Sequence, residues 1–458
     1  MSTFSSLGTA LSALYAQRQG LDTTGQNVAN ANTEGYSRQR IRMEATGGAT
    51  GAQLFSRRTS PDGGVRVVDF QRVRDTFLEL RALQENAASA SLQSTQTVLS
   101  RAELSFSEPG PNGLQAQMAD FWASWDDLGN RPNDPGARSQ VIEQAKTVVD
   151  GFSRAGADLA SLQASVTDQL KSRVSDINTT ASQIAQLNQA IQNATNSGMT
   201  PNDLLDQRDL LITQLSSLVG VTTRDGDAGS VDVFVGGSSL VRGANSEPLG
   251  VDVSGAGTAS VMWSRLGVAA DVGGGEAGAL VSAVNTVIPG YRQRLDTVVN
   301  QFRDTVNTQH QAGDDLVPGG TTDPLFTGSG ATGLAVNATI VADPNRLAAA
   351  GAGAGALDSS NALAMAALAN LPGGPDASYR SLISDLGADS QRADRQLTIQ
   401  TQIAGQVDAA RKSQSSVNLD EEMTNMISFQ HAYDAAARYM TAVDQTLQTL
   451  MSTGMVGR

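Results

Sequence analysis

The chain of 458 residues has no cysteine, which excludes disulfides, thiolate zinc sites and cysteine nucleophiles. Lysine is almost missing too: only Lys146, Lys171 and Lys412 occur, so arginine carries nearly all the positive charge. The formal net charge is −14, and an acidic balance argues against nucleic acid or an anionic membrane as the main partner. His310 and His431 are the only histidines, and neither has a ligand-type neighbour at metal spacing. Both read as positions on a helix surface or interface. Aromatic residues make up 4% of the chain against 40% hydrophobic residues, so the core must come from Ala, Val, Leu and Ile, which suits long helices in bundles. No apolar run reaches about 18 residues, so no membrane-spanning helix is expected. The start, Met1 to Leu7, has no basic segment followed by an apolar core. No general secretory signal peptide is expected; the protein stays inside or leaves by a route that reads something else.

What is present is a matched pair of ends. In the last helix, about 418–451, Met426, Phe429, Tyr433, Ala436, Met440, Val443, Leu447 and Leu450 recur at alternating steps of three and four. This is a heptad seam, which keeps one apolar stripe facing a partner helix. The first helix repeats it at Phe4, Leu7, Leu11, Leu14, Leu21 and Val28, interrupted by Arg18 and Gly25. Burying eight side chains contributes about 1.5–3 kcal/mol each, while ordering a residue costs about 1–2 kcal/mol in backbone entropy. One seam is therefore not expected to hold its helix alone. The ends must pair with each other or with copies of themselves, and are expected to be mobile in the lone molecule.

Between the ends the pattern changes repeatedly. Residues 3–32 read as helix, stopped at Thr33-Glu34-Gly35. A hairpin-like excursion follows over 41–70, with a turn at Pro61-Asp62-Gly63-Gly64. Helices are predicted over 73–105, 114–128, 137–196 and 202–218, the fourth opening after Pro201. From 221 to 272 short strands alternate with glycine turns, and one further strand is predicted over 334–341. A helix over 276–311 must kink or restart at Pro289. Helix resumes over 361–370 and from Tyr379 onward, with a break near 413–417. The expected fold is mainly α with a β-rich insert, in nested discontinuous domains: terminal helices paired as an α-helical coiled coil, a helical bundle middle layer and a small β outer domain. The expected boundaries are 1–70 with 400–458, 71–220 with 276–312 and 357–399, and 221–275 with 313–356.

Sites for chemistry are few. Gly273-Gly274-Gly275-Glu276-Ala277-Gly278 fits G-x-G-x-x-G between a strand-like stretch and a helix, as a dinucleotide site would. Against it, Glu276 would sit beside a pyrophosphate and no parallel βαβ unit follows. A β-to-helix turn is the better reading. Gly351 to Ala356 reads as a loop, and Asp314-Asp315 lacks the spaced oxygens of a calcium loop. Asp420-Glu421-Glu422 reads as acids favouring the positive end of a helix dipole. Nothing assembles a nucleophile, a base and an orienting group, so neither catalysis nor a cofactor nor a metal is expected.

Leu21, Gly25, the run Asn27 to Thr33 with Asn30 in it, and Gly35-Tyr36 resemble the N-terminal signature of the bacterial flagellar rod, hook and hook-associated axial proteins. Ser37-Arg38-Gln39, Leu204 to Asp209, and Val417 to Met423 with Phe429-Gln430 and Ala432-Tyr433 are similar to motifs of one hook-associated branch. Asn307, His310, Gly313 and Asn361 to Leu363 also sit where that branch has such residues. The resemblance covers both ends and the middle. It implies a structural adaptor between hook and filament, a ring of copies, with the hook protein and the third hook-associated protein as neighbours. It also implies export by the flagellar type III apparatus with a dedicated chaperone, and a place on the extracellular flagellum. The assembly interface it implies comprises Leu7, Leu11, Leu14, Leu21, Asn27, Asn30, Gly35, Tyr36, Met426, Phe429, Tyr433, Met440, Val443, Leu447 and Leu450. Val28 stands where the family usually has Ile. The rival readings are a hook or rod paralogue, a secreted enzyme on a helical stalk and a coiled-coil adhesin.

Overall fold

A computed structural model describes residues 3–46, 63–255, 257–317 and 322–455. The Pro61-Asp62 part of the expected turn and the side chains of Phe4 and Leu450 lie outside the described residues. The chain forms two compact units, both discontinuous in sequence. The first gathers Met1–Asn86, Asn178–Pro248 and Gln402–Arg458; the second gathers Ala87–Ile177 and Leu249–Thr401.

Helix α1 (Thr3–Ala29) leads to an antiparallel ribbon of β1 (Gln39–Thr46) and β2 (Gly64–Arg72), where Gln39 faces Arg72 and the register shifts at Arg42/Met43. Then come α2 (Thr76–Leu104), α3 (Leu114–Asn130), the 62-residue α4 (Pro135–Asn196) and α5 (Asn202–Leu218). Pro135 opens α4 and Pro201 precedes α5, where a missing N–H and a fixed φ cost nothing. Strands β3 (Thr222–Asp225), β4 (Val231–Val235), β5 (Ser238–Arg242) and β6 (Asn245–Ser246) form one sheet in sequence order. Strands β7 (Leu249–Val253), β8 (Ala259–Trp263) and β9 (Val268–Ala269) form another. The divide between the units falls between these sheets, and also within α2 and α4.

Next come α6 (Gly275–Ser282) and α7 (Ile288–Gln311), joined by a π-turn at Ala283–Val287. The expected break at Pro289 thus takes a specific form. The Ile288 N–H reaches back five residues to the Ala283 carbonyl, and Pro289 has no N–H to offer the Val284 carbonyl. Gln163 of α4 supplies the missing donor at 3.0 Å, and Asn285 of the π-turn holds both backbone groups of Ala259. The chain then runs through β10 (Gly313–Asp314), β11 (Phe326–Thr327), β12 (Ala335–Val336), α8 (Ala338–Ala342), β13 (Ala350–Gly351) and α9 (Ser360–Ala367). It ends in α10 (Pro375–Ser415), which crosses the divide, and α11 (Leu419–Met455). The strand expected over 334–341 is a correction: only Ala335–Val336 is extended, and the Asn337 side chain caps α8 by accepting from the Thr339 N–H. The protein is mainly α with small sheets, and every described strand pairing is antiparallel.

In the first unit, α1 packs on both α11 and the β1–β2 ribbon. Its fully covered positions are Ala10, Ala16, Gly20, Thr23, Thr24 and Asn27, a face of small residues. Leu7, Leu14, Leu21 and Val28 are only half-buried, and Leu11 is 43% exposed. The reason is steric. A Cβ on Gly20 would lie 2.7 Å from the Phe429 ring, so the helices approach where α1 is thinnest. On α11, Met426, Phe429, Met440 and Leu447 are half-buried, Val443 is buried and Tyr433 is exposed. The sheet β3 to β6 is pinned to α4 by Asn188, whose amide bonds the Val231 and Gly243 carbonyls while its Oδ1 accepts from the Val231 N–H.

In the second unit six aromatic side chains pack together. Phe121, Trp122, Trp125, Phe152, Phe302 and Phe326 form one cluster, with ring centroids 4.9–6.4 Å apart in edge and tilted pairs. His310, read as a helix surface or interface position, is not on the surface: it lies fully buried at the end of α7, against Trp125. Beside it, Asn307 exchanges two hydrogen bonds with the backbone of Phe326, and Asn361 donates to the Ala348 carbonyl. These polar residues tie irregular chain to helices. The glycines of the Gly273–Gly278 run serve geometry. Gly275 takes φ +67 at the start of α6, a Cβ on Gly278 would meet the Val272 carbonyl at 2.7 Å, and Glu276 pairs with Arg173 at 2.6 Å.

Candidate functional site: a polar joint

The sequence signatures from both ends of the chain meet in the first unit. At the foot of α1, Asn27 is buried and all four of its side-chain bonds are made. Its Nδ2 donates to the Gln39 carbonyl and to Glu422 Oε2, and its Oδ1 accepts from the Gln39 N–H and the Tyr36 hydroxyl, all at 2.9 Å. An amide has two donors and two acceptor positions, so Asn27 is saturated. Local sequence sets this up. Gly35 takes φ +79, and the chain turns back so that Tyr36 and Gln39 face the helix it has just left. A Cβ on Gly35 would also press on Leu210 at 3.2 Å.

Glu422, on the first turn of α11, is the second hub. Its buried carboxylate accepts from Asn27 and from Arg38 Nε at 2.7 Å, while Glu421 takes Arg38 Nη1 at 2.6 Å. The dipole reading of Asp420-Glu421-Glu422 is therefore too weak for Glu422, whose charge is spent on specific partners 384 and 395 residues away. Arg38 is fixed through its backbone as well: its N–H donates to the Ser415 carbonyl and its carbonyl accepts from the Val73 N–H. Asn418 starts α11 by accepting from the Asp420 N–H.

A third cluster joins α5 to the ribbon. The Ser37 N–H donates to Asp206 Oδ2, Arg72 donates to both Asp206 and Asp209, and Arg74 and Arg208 close on Asp209. Arg208 also reaches the Gly229 carbonyl at 2.6 Å, and Asn202 bridges the Gln39 side chain and the Phe70 carbonyl. Burial would raise the Asp209 carboxyl, but the guanidiniums of Arg208, Arg74 and Arg72 hold it below the usual carboxylate range. Burial, with Asp206, Asp203 and Glu422 nearby, pushes the Tyr36 phenol up to about 12, so it stays a donor. A cleft of about 770 Å³ opens beside these groups, lined by Gly20, Thr23, Arg40, Met43, Asn425 and Phe429 among others.

Of the residues picked from the sequence, Asn27 and Tyr36 enter this joint directly and Gly35 enters through its turn. Asn30 stays within its own helix end, bonding Gln26 and Thr33. The leucines and the α11 stripe lie along the helix pair. Glu422, Arg38, Asp206, Asp209, Arg72, Arg74 and Gly20 were not picked as site residues. For Arg38, Asp206, Asp209 and Glu422 the signal available was the company of acids and arginines in the motifs themselves, at Ser37-Arg38-Gln39, Leu204 to Asp209 and Asn418 to Glu422; Gly20, Arg72 and Arg74 lie outside those motifs. Chemically, the joint's carboxylates are committed to guanidiniums, amides and backbone N–H groups. That arrangement fixes the relative placement of α1, the ribbon, α5 and α11.

Residues 99–326 match the family described as the flagellar hook-associated protein FlgK helical domain. Residues 7–36 match the flagella basal body rod protein family, and residues 413–453 match the C-terminal family of flagellar basal body rod FlgEFG proteins. Flagellar hook-associated protein 1 of Bacillus subtilis is 31% identical over 508 residues, covering 100% of this chain and 99% of the relative. The Escherichia coli protein of the same name is 30% identical over 68% of this chain and 57% of its own length. The solved structure of the flagellar hook junction protein FlgK from Burkholderia pseudomallei shares the fold, with a TM-score of 0.61 at 18% identity over 73% of this chain and 99% of that one. Two ends that meet in one joint, a helical middle and full-length similarity lead to one conclusion: the chain belongs to the flagellar hook-associated protein 1 family.

Proposed function

We infer that this chain is a structural axial protein at the junction of flagellar hook and filament, and that its two ends act there as one joint. The observation that carries this reading is the bond set Asn27–Glu422–Arg38, which locks the first helix, the ribbon and the last helix into one body. A junction must transmit force between unlike neighbours. A buried network with every bond made resists a change of register, because any slip leaves charges and amides unpaired at about 1–3 kcal/mol for each group, more for charged ones. Commitment of the joint's acids to structural partners supports a role without catalysis. The region 1–70 with 400–458 is the assembling part in this reading. Its neighbours are further copies in a ring, the hook protein and the third hook-associated protein, and its route is the flagellar export apparatus with a chaperone.

A strain lacking the chain is expected to make hooks and to spill unpolymerised flagellin into the medium. Normal swimming on intact filaments in that strain would overturn the reading. Within the chain, Met440→Asp puts a charge on the half-buried stripe of α11. It is expected to block incorporation into the junction while the second unit keeps its melting transition, because that unit contains no part of α11. Complementation of the deletion strain, scored by filament count, checks this; full complementation would remove the stripe from the interface.

A further inference from the structure

His310 and its neighbours form a clamp on one short stretch of backbone. Leu347 and Ala348 are completely buried. The Leu347 carbonyl accepts from Arg138 of α4 at 2.6 Å, the Ala348 carbonyl from Asn361 of α9 at 2.6 Å, and the Ala348 N–H donates to His310 Nε2 at 3.0 Å. The other ring nitrogen, Nδ1, lies 2.9 Å from the Asp323 carbonyl. A carbonyl only accepts, so Nδ1 carries the proton and Nε2 is the lone-pair acceptor. One neutral imidazole thus ties both ends of the stretch from Asp323 to Ala348 to the end of α7. We propose that His310 is an acid-sensitive latch: a proton on Nε2 turns an acceptor towards the Ala348 N–H into a donor and releases this stretch from α7.

The surroundings offer that proton only the pull of Asp323. Arg138, from α4, is already a buried cation whose hydrogen bonds go to the backbone carbonyls of Pro132, Pro344 and Leu347, with Asp315 as its nearby acid. From the irregular chain, the Asp323 carboxylate is engaged by Arg346 at 3.3 Å and by Thr339. Among the described residues, α3 faces His310 with the neutral Trp125 ring and α9 presents the neutral Asn361 to the clamp. Burial, and then the Arg138 charge, push the imidazole down to about 4 against the pull of Asp323. The sign follows. An exposed imidazole binds its proton below about 6.5, so the open form takes up a proton over the window from about 6.5 to 4 in which the closed form does not. Opening is therefore favoured as the pH falls through that window and disfavoured above it. The latch lies wholly in the second unit.

With only two histidines, a carbon–proton correlation spectrum of the full chain follows His310 directly, and His431→Gln assigns the two signals. The expected result is a His310 signal unmoved at pH 6.5 that shifts only in the acid part of the window, together with the fluorescence of Trp125, whose ring centroid is 6.1 Å away. Exchange of the amides in 323–350, corrected for intrinsic rates, should rise at least about tenfold between pH 6.5 and 4.5. His310→Gln should abolish the pH dependence of both readouts. Titration of His310 near 6.5 with no change in fluorescence or exchange overturns the proposal, as does the same acid opening in His310→Gln. Should that variant fail to fold, the wild-type titration decides by itself.

Discussion

Asn27→Asp is expected to destabilise the first unit by on the order of 3–5 kcal/mol at neutral pH, the range for breaking a buried charged network from one side. The substitution keeps shape and removes both donors. The new carboxylate would face the Glu422 carboxylate and the Gln39 carbonyl, each now 2.9 Å from the amide nitrogen. Asn27→Ala, which only deletes bonds, should cost less. The two variants should also differ in pH dependence. Two adjacent carboxylates raise the pKa of one of them. For an acid whose folded pKa lies above its unfolded value, the folded form binds the extra proton, so the destabilisation is full at neutral pH. It is relieved as the pH falls through the raised pKa. Melting of Asn27→Asp should therefore recover towards that of Asn27→Ala between neutral pH and about 4, near the ordinary carboxylate range. Equal losses for both variants at every pH would show that Asn27 acts through volume rather than through its bonds.

The second large effect is expected at Gly20. A leucine there brings four carbons into a place where even a Cβ would lie 2.7–2.9 Å from three atoms of the Phe429 ring. The ring can turn only by giving up its seat on α1, and overpacking of this kind costs about 1–3 kcal/mol. The helix pair should part locally, and junction assembly should fail while both units keep most of their helix content. A double-mutant cycle separates this from a general loss of α1. Gly20→Leu with Phe429→Ala should be more stable and better incorporated than the sum of the single changes predicts, because the cavity left by the ring receives the leucine. Strict additivity would place Phe429 away from Gly20 in the working molecule.

These two positions also show what kind of information each level carries. Asn27 was legible: an asparagine in a helix-ending run before Gly35-Tyr36 points to a built turn, and the resemblance named the run. Gly20 was not, because spacing analysis looks for large apolar residues and the closest approach uses the smallest one. Glu422 was read as a helix-start acid because local sequence offers that explanation first. Its partners Asn27 and Arg38 lie 395 and 384 residues away, and nothing in the local pattern distinguishes a solvated acid from a buried hub. His310 failed for the same reason. A lone histidine in a helical stretch has no sequence mark of burial; the clamp on Ala348 depends on an irregular loop whose path no periodicity describes.

The sequence by itself determined the long helices, most of their ends and the class of protein. Helix periodicity, proline and glycine at the boundaries and the absence of cysteine act within a few residues of each position, and the terminal motifs are contiguous words. Only the tertiary structure decided which face of α1 is covered, that β strands expected in one insert belong to two units, and that Asn27, Arg38 and Glu422 share one network. Packing and buried charge are settled by distance in space. Steric fit at Gly20 and the cost of an unpaired carboxylate at Glu422 exist only once residues far apart in the chain have been brought within 3 Å of each other.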